Sequence, residues 1–278
     1  MLYDTRVAAE NSEKRFAFGK NWARFLRELD EGRILSAEAS LKGMLGPGAL
    51  KDRRFLDIGC GSGLSSLAAR RLGARVHSFD YDLESAACAE ALKARYFPGD
   101  PLWTIERGSA LDGAYLAGLG RFDVVNSWGV LHHTGEMWRA LDLAAGRVEE
   151  RGLLFISLYN DQGWKSRAWR RVKLCYNVLP SALRFLVLLP AFVWLSAPDV
   201  VFDFLKLQPF ATWRKYRSNR GMSVWRDAVD WVGGYPFEVA KPEQVLDFCR
   251  QRGFELLRLR TAMGGLGCNE FVFEKKPA

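Results

Sequence analysis

Residues 57–63 read Asp-Ile-Gly-Cys-Gly-Ser-Gly and close an apolar run that begins at Arg54. Glycines at such a point let the backbone approach a ligand and open the next helix at its electropositive end. A dinucleotide fingerprint would need its third glycine at position 64, where the chain has Leu64. No Walker lysine-serine pair follows, which argues against a P-loop. A second reactive cluster is Leu131-His132-His133-Thr134. With an unperturbed pKa of about 6.5, a histidine accepts a proton near neutrality. Two adjacent side chains alternate in direction, so at most one faces a given reactant. His132 is favoured as the proton acceptor, and a packed or capping role is the alternative. Five cysteines show no CxxC spacing, and two of the three histidines are neighbours. Neither a disulfide framework nor a structural zinc site is expected.

These residues need elements to hold them. RFLDIG (54–59), ARVHSFD (74–80), PLWTIERG (101–108), FDVVNSW (122–128) and GLLFISLY (152–159) read as strands. LSSLAARRLG (64–73), LESAACAEALKARY (83–96) and EMWRALDLAAGRVEE (136–150) read as helices between them. Strands alternating with helices imply right-handed crossovers and a parallel sheet. PEQVLDFCRQRG (242–253) predicts a helix with Pro242 in its first turn. FELLRLR (254–260) and CNEFVFEK (268–275) are too close for a helical crossover and predict an antiparallel hairpin at the sheet edge. The fold expected is a doubly wound α/β, Rossmann-like seven-stranded sheet, mostly parallel, with that terminal hairpin and a helical insertion after the fifth strand.

With its flanking segments, the glycine loop resembles motif I of the class I S-adenosylmethionine-dependent methyltransferases. In that family an acid at the end of the second strand holds the ribose hydroxyls, and Asp80 stands there, followed by Tyr81 to pack beside the adenine. GSALD (108–112) matches the segment after the third strand that faces the adenine, with Ser109 where members often carry an acid. NSWGVLHHTG (126–135) matches the fourth-strand segment that lies under the cofactor and faces the acceptor. The resemblance therefore implies S-adenosylmethionine as cofactor, held by Asp57, Gly59, Gly61, Gly63, Asp80, Tyr81, Ser109, Ala110 and Ser127. His132 and His133 would stand where donor and acceptor meet, and methyl transfer is in-line displacement helped by alignment and proton removal. Tyr159, Asn160 and Asp161 lie at the same rim, to orient the acceptor or to cap the next helix. The (D/N)PP(Y/F) signature of base- and glutamine-modifying enzymes and the Pro-Cys of cytosine-C5 enzymes are both missing after the fourth strand. O-methylation of a small-molecule or lipid-like acceptor is the leading expectation, with N-methylation of a small molecule or lipid headgroup also open. An RNA methyltransferase and a non-catalytic scaffold of the same fold are the alternatives.

The chain has 278 residues, 49% hydrophobic and 26% charged, with 18 Phe, 10 Trp and 8 Tyr, which excludes a disordered polypeptide. The organisation expected is a helical cap over 1–50, a cofactor-binding core over 51–161, an insertion over 162–240 and the end of the core over 241–278. Residues 164–220 hold eleven Lys/Arg against two Asp, more than the whole net charge of +8. Within them FLVLLPAFVWLSAP (185–198) is uncharged for fourteen residues, too short to span a bilayer and suited to a buried or interfacial segment. Apolar residues and Trp194 between basic clusters suit an anionic membrane surface, loosely similar to quinol O-methyltransferases of ubiquinone synthesis. A lid packed on its own domain is the competing reading, and RNA is disfavoured because the run offers aliphatics rather than a stacking platform. Asp227, Asp230, Trp231, Tyr235 and Glu238 form a candidate acceptor wall, with a merely anchored loop as the alternative. Phe18 and Trp22 form a candidate lid or a core pair, and GGLGCNEF (264–271) a segment over the acceptor. The first residues show no apolar leader, so a cytoplasmic protein, peripheral at the membrane's inner face, is expected.

Overall fold

A computed structural model describes residues 29–206 and 224–277, together with Gly19, Trp22, Leu26 and Gln208. Seven strands run β1 (Arg54–Ile58), β2 (Arg75–Asp80), β3 (Trp103–Arg107), β4 (Phe122–Trp128), β5 (Val148–Tyr159), β6 (Phe254–Arg260) and β7 (Cys268–Lys275). They form one sheet in the order β3-β2-β1-β4-β5-β7-β6. The first five pair in parallel, and β7 lies antiparallel between β5 and β6, as the hairpin spacing predicted. From β1 the chain works outward to β3, then returns to place β4 on the other side of β1. Such a reversal leaves a crevice at the carboxyl ends of the two central strands.

The helices of the described residues are α1 (Glu31–Leu45), α2 (Leu64–Arg71), α3 (Leu83–Tyr96), α4 (Gly113–Gly118), α5 (Met137–Ala145), α6 (Trp164–Val178), α7 (Phe185–Leu205), α8 (Val224–Gly233) and α9 (Pro242–Arg250). Successive strand residues point to opposite faces, so neighbours in sequence feed different cores. Leu56 and Val125 join Leu116, Leu141, Val245 and Cys249 from α4, α5 and α9. Phe55 and Val124 join Ile34, Leu41, Leu67 and Leu92 from α1, α2 and α3. Asp30, Asp82 and Asp112 cap α1, α3 and α4 by accepting from backbone N–H groups.

Two boundaries differ from those expected. The helix read over 136–150 ends at Ala145, where Gly146 follows and the Arg147 N–H turns back to Ala144. Val148 then pairs with Phe122, so residues 148–151 begin β5. The helix propensity of Glu149 and Glu150 is overridden by strand pairing. In the insertion, the uncharged run 185–198, expected to be too short to span a bilayer, is part of a longer helix: α7 has 21 residues with Pro190 and Pro198 inside it. The segment Ser181–Leu205 is long and apolar enough to cross a membrane. Loss of one N–H per proline does not end a helix whose inner turns pack elsewhere: Leu188 and Ala191 join Trp169, Tyr176, Val232, Tyr235 and Phe237 in a separate apolar cluster.

Candidate active site

The crevice at the switch point is a cleft of about 1010 Å³. Its floor is the glycine loop. Gly59 has φ +70, and a Cβ there would lie 2.4 Å from Val130 Cγ1. Gly63 has φ +80 and starts α2, but a Cβ on it would meet the Ala89 Cα of α3 at 2.8 Å. Gly63 therefore serves helix packing, and it is Gly59 and Gly61 that line the cleft. Beneath them Asp57 is buried, accepting from the Ser66 hydroxyl and from Asn126 Nδ2 at 2.8 Å. Ser78 donates to Ser66 Oγ at 2.7 Å and Trp103 Nε1 to Ser78 Oγ at 3.0 Å. This chain of bonds ties β1 to α2, β2, β3 and β4 under the loop. Burial raises the Asp57 pKa, and the bonds from Ser66 and Asn126 oppose it.

Asp80 accepts from the Gly61 N–H on one oxygen and from the Asp82 N–H on the other, each at 2.9 Å. Burial pushes its carboxyl up to about 6, against the pull of those two N–H groups. Tyr81 stands half-exposed beside it, with the Arg107 guanidinium 5.7 Å from its ring centre. Ser109 and Ala110 line the same end, and Ser109 Oγ accepts from the Leu111 N–H at 3.2 Å. Ser127 does not line the cleft: it is fully buried and donates to the Ile58 carbonyl at 3.3 Å. Alternation along β4 sends Asn126 to the cleft instead. Trp22 covers Gly61, its ring 3.2 Å from where a Cβ would stand, and Gly19 N–H donates to Asp82 Oδ2 at 3.0 Å. Gly19 and Trp22 thus reach this end of the cleft, and Trp22 also packs against the core beneath it; Phe18 lies outside the described residues.

At the other end, the turn Leu131–His133 brings both histidines to the cleft. His132 is buried, its Nδ1 has no hydrogen-bond partner, and its ring centre lies 4.0 Å from that of Tyr159. His133 Nδ1 lies 2.6 Å from the Pro236 carbonyl oxygen. Burial, helped by the positive charge of Lys173, lowers both: His133 to about 3 and His132 well below the usual range, where His133 also contributes. Both imidazoles are neutral at pH 7. Tyr159, Trp231 and Tyr235 complete this wall together with Trp128, Gly267, Cys268 and Glu270. Trp128 Nε1 donates to Glu270 at 3.1 Å, and Arg260 holds the second oxygen of Glu270 at 3.1 Å. Asn160 is not brought into the cleft. It accepts from Asn269 at 3.1 Å, and its backbone bridges to Ala240. Asp161 accepts from the Gly163 N–H at 2.8 Å in the turn that leads into α6, and Glu238 caps α5 through the Met137 N–H at 3.0 Å. Those two line a separate cavity of about 330 Å³. The side chains of Asp227 and Asp230 lie outside the described residues. Sequence reasoning did not single out Asn126, Trp128 and Glu270 as cleft residues, although all three stood inside segments it named: the first two one position on either side of Ser127, and Glu270 within GGLGCNEF.

A family model described as "Methyltransferase domain" matches residues 20–187, more than half of the chain. The chain belongs to this family of methyltransferase domains. Among curated relatives, the ubiquinone biosynthesis O-methyltransferase of Parvibaculum lavamentivorans is 33% identical over 116 residues, 40% of this chain and 42% of that protein. The protein of the same name from Nitrobacter winogradskyi is 32% identical over 117 residues, 41% of each. The match thus spans less than half the length of these relatives. Among solved structures, magnesium protoporphyrin IX methyltransferase from Synechocystis with bound SAH has a TM-score of 0.51 at 15% identity, covering 90% of this chain and 86% of that one. An O-methyltransferase family protein from Burkholderia thailandensis has a TM-score of 0.54 at 14% identity, covering 88% and 57%. At these identities the likeness is one of fold.

The residues present suit the family's cofactor. Asn126 Oδ1 is a buried acceptor with no partner at the cleft floor, available to an ammonium group. Gly59 leaves a cradle that Val130 would close on any side chain. Each Asp80 oxygen, with one N–H bond made, keeps a lone pair for a ribose hydroxyl.

Proposed function

We propose that this chain methylates a hydroxyl group of a small, flat, largely apolar acceptor. S-adenosylmethionine would supply the electrophilic methyl group, held by Gly59, Gly61, Asp80, Tyr81, Ser109, Ala110 and Asn126. The observation that carries the reading is His132: a buried, neutral imidazole with an unpartnered Nδ1, in a stretch of the cleft wall that it shares with Trp128, Tyr159, Trp231 and Tyr235. Such a group takes up the hydroxyl proton, an effect of about 10²- to 10⁴-fold when well placed. Trp128, Trp231 and Tyr235 orient a flat acceptor, and Trp22 excludes water from the cofactor end. The relatives, ubiquinone biosynthesis O-methyltransferases, support oxygen as the methylated atom.

The acceptor would come from, or near, a membrane. On α7, Leu186, Leu189, Val193, Trp194, Val201, Phe202, Phe204 and Leu205 are exposed, while Leu188 and Ala191 pack inward. One face packed and one bare describes a helix lying on a bilayer, with Arg184 and Lys206 at its ends for anionic headgroups.

Calorimetric titration with S-adenosylmethionine and S-adenosylhomocysteine tests the cofactor site. One-site binding, weakened about tenfold to a hundredfold by Asp80→Ala, is expected for loss of hydrogen bonds to a charged group. His132→Gln should leave that affinity unchanged while removing turnover. No binding to either ligand would overturn the reading in favour of a scaffold.

A further inference from the structure

The eleven basic residues of the insertion suggest a solvated charge cluster, yet Lys173 is fully buried. It stands on the inner side of α6, and its ammonium donates to the carbonyl of Trp231 in the last turn of α8. One turn on, Asn177 Nδ2 donates to the Gly233 carbonyl at 2.7 Å and to the Lys173 carbonyl at 2.8 Å. The last carbonyls of a helix have no partners within it and carry partial negative charge. Thus α6 caps α8 with an ammonium and an amide. Three ring centres surround the Lys173 nitrogen, Trp231 at 4.7 Å, Phe237 at 4.8 Å and Tyr159 at 5.8 Å, all within cation–π range. Trp231 and Tyr159 line the cleft, and Tyr159 packs on both histidines.

We infer that Lys173 is a positioning residue for the acceptor: its caged ammonium orients Trp231 and Tyr159 and lends the His132–His133 wall a positive potential that selects acceptors with acidic hydroxyls. The inference rests on the methyl-transfer reading above and narrows its substrate class. A fixed cation behind neutral imidazoles makes them weak bases and favours negative charge on the oxygen opposite them. Phenols, enols and carboxylic acids meet both conditions, and aliphatic alcohols meet neither. In the step itself the acceptor oxygen forms its bond to the methyl carbon, the methyl–sulfur bond breaks with its electron pair going to sulfur, and the hydroxyl proton passes to His132.

The test uses the full chain loaded with S-adenosylhomocysteine. There are three histidines, so histidine-labelled protein shows three imidazoles by NMR. His77, on β2 beside Glu106, is the internal control. Facing His132 and His133 are Lys173 from α6 and Tyr159 from β5; Glu238 follows Pro236 with its carboxylate on Met137, and α8 carries Asp227 and Asp230. Lys173→Met should raise the midpoints of His132 and His133 by about one unit or more, leave His77 in place, and change S-adenosylhomocysteine affinity less than threefold. Lys173→Arg should keep them low. Unmoved midpoints, or equal changes in both variants, would overturn the inference. Should Lys173→Met fail to fold, the wild type still decides, because three rings must shift one set of lysine methylene protons upfield and their absence refutes the cage. For selectivity the probes are 4-nitrophenol and 4-nitrobenzyl alcohol. Wild type should bind the phenol at least tenfold tighter at pH 8, and equal or absent binding of both would overturn the substrate class. Absence of S-adenosylhomocysteine binding by wild type would instead sink the methyl-transfer reading, leaving the histidine titration to judge Lys173 alone.

Discussion

At the scale of single residues, Asp80 and the two histidines respond to pH in different ranges. Burial pushes the Asp80 carboxyl up to about 6. Its carboxylate, the form that accepts from ribose hydroxyls, is therefore complete only above that pH. Affinity for S-adenosylhomocysteine should fall as pH is lowered through about 6, approaching tenfold per unit below it. Asp80→Ala should flatten this dependence. The histidines add nothing there, since both are held neutral, His133 titrating at about 3. Calorimetry between pH 5 and 8 checks the point: a loss of affinity that persists unchanged in Asp80→Ala would assign it to another group. Asp80 was legible in sequence as the acid that ends the second strand. That its oxygens already hold the Gly61 and Asp82 N–H groups was not, because those bonds depend on how the loop closes over it.

At the scale of elements, the glycine loop does two jobs that look alike in sequence. Gly59 clears the cleft, whereas Gly63 lets α2 pack against α3. Gly63→Ala should therefore destabilise the fold strongly. A left-handed non-glycine residue costs about 1–2 kcal/mol, and overpacking against Ala89 adds about 1–3 kcal/mol. Gly99 also has φ +70 but has nothing within 4 Å of its added Cβ. Gly99→Ala should cost only the backbone share, about 1–2 kcal/mol. Thermal melts of the two variants check this, and equal losses would refute the packing role of Gly63. The strand at Val148 teaches a similar lesson: glutamates and a preceding helical pattern favoured helix, and pairing with Phe122 decided otherwise.

For the whole molecule, the open matter is what covers α7. Leu186, Leu189 and Val193 are 56%, 47% and 62% exposed on one helix. Replacing all three by Gln should reduce binding to phosphatidylglycerol vesicles at least a hundredfold, at about 1 kcal/mol or more per side chain. Affinity for S-adenosylhomocysteine should not change, because none of the three lines the cleft. Vesicle sedimentation measures the first and calorimetry the second; undiminished sedimentation would remove the bilayer from the reading. The sequence showed the apolar run over 185–198 and its basic flanks, but not that the helix carries on past Pro198 to Leu205.

The sequence by itself determined the alternating fold, the terminal hairpin, the glycine loop, Asp80 and the histidine pair. All of these are written in local periods, turn residues and spacings, which short stretches of chain enforce on their own. Only the tertiary structure decided that Asn126 rather than Ser127 faces the cleft, that Asn160 is tied to Asn269, and that Trp22 lies over Gly61. It alone showed that Lys173, one of eleven basic residues in 164–220, is buried among the rings of Trp231, Phe237 and Tyr159. Each of these depends on strand register, or on contacts between residues tens of positions apart, and no local pattern records which distant partner a side chain will meet.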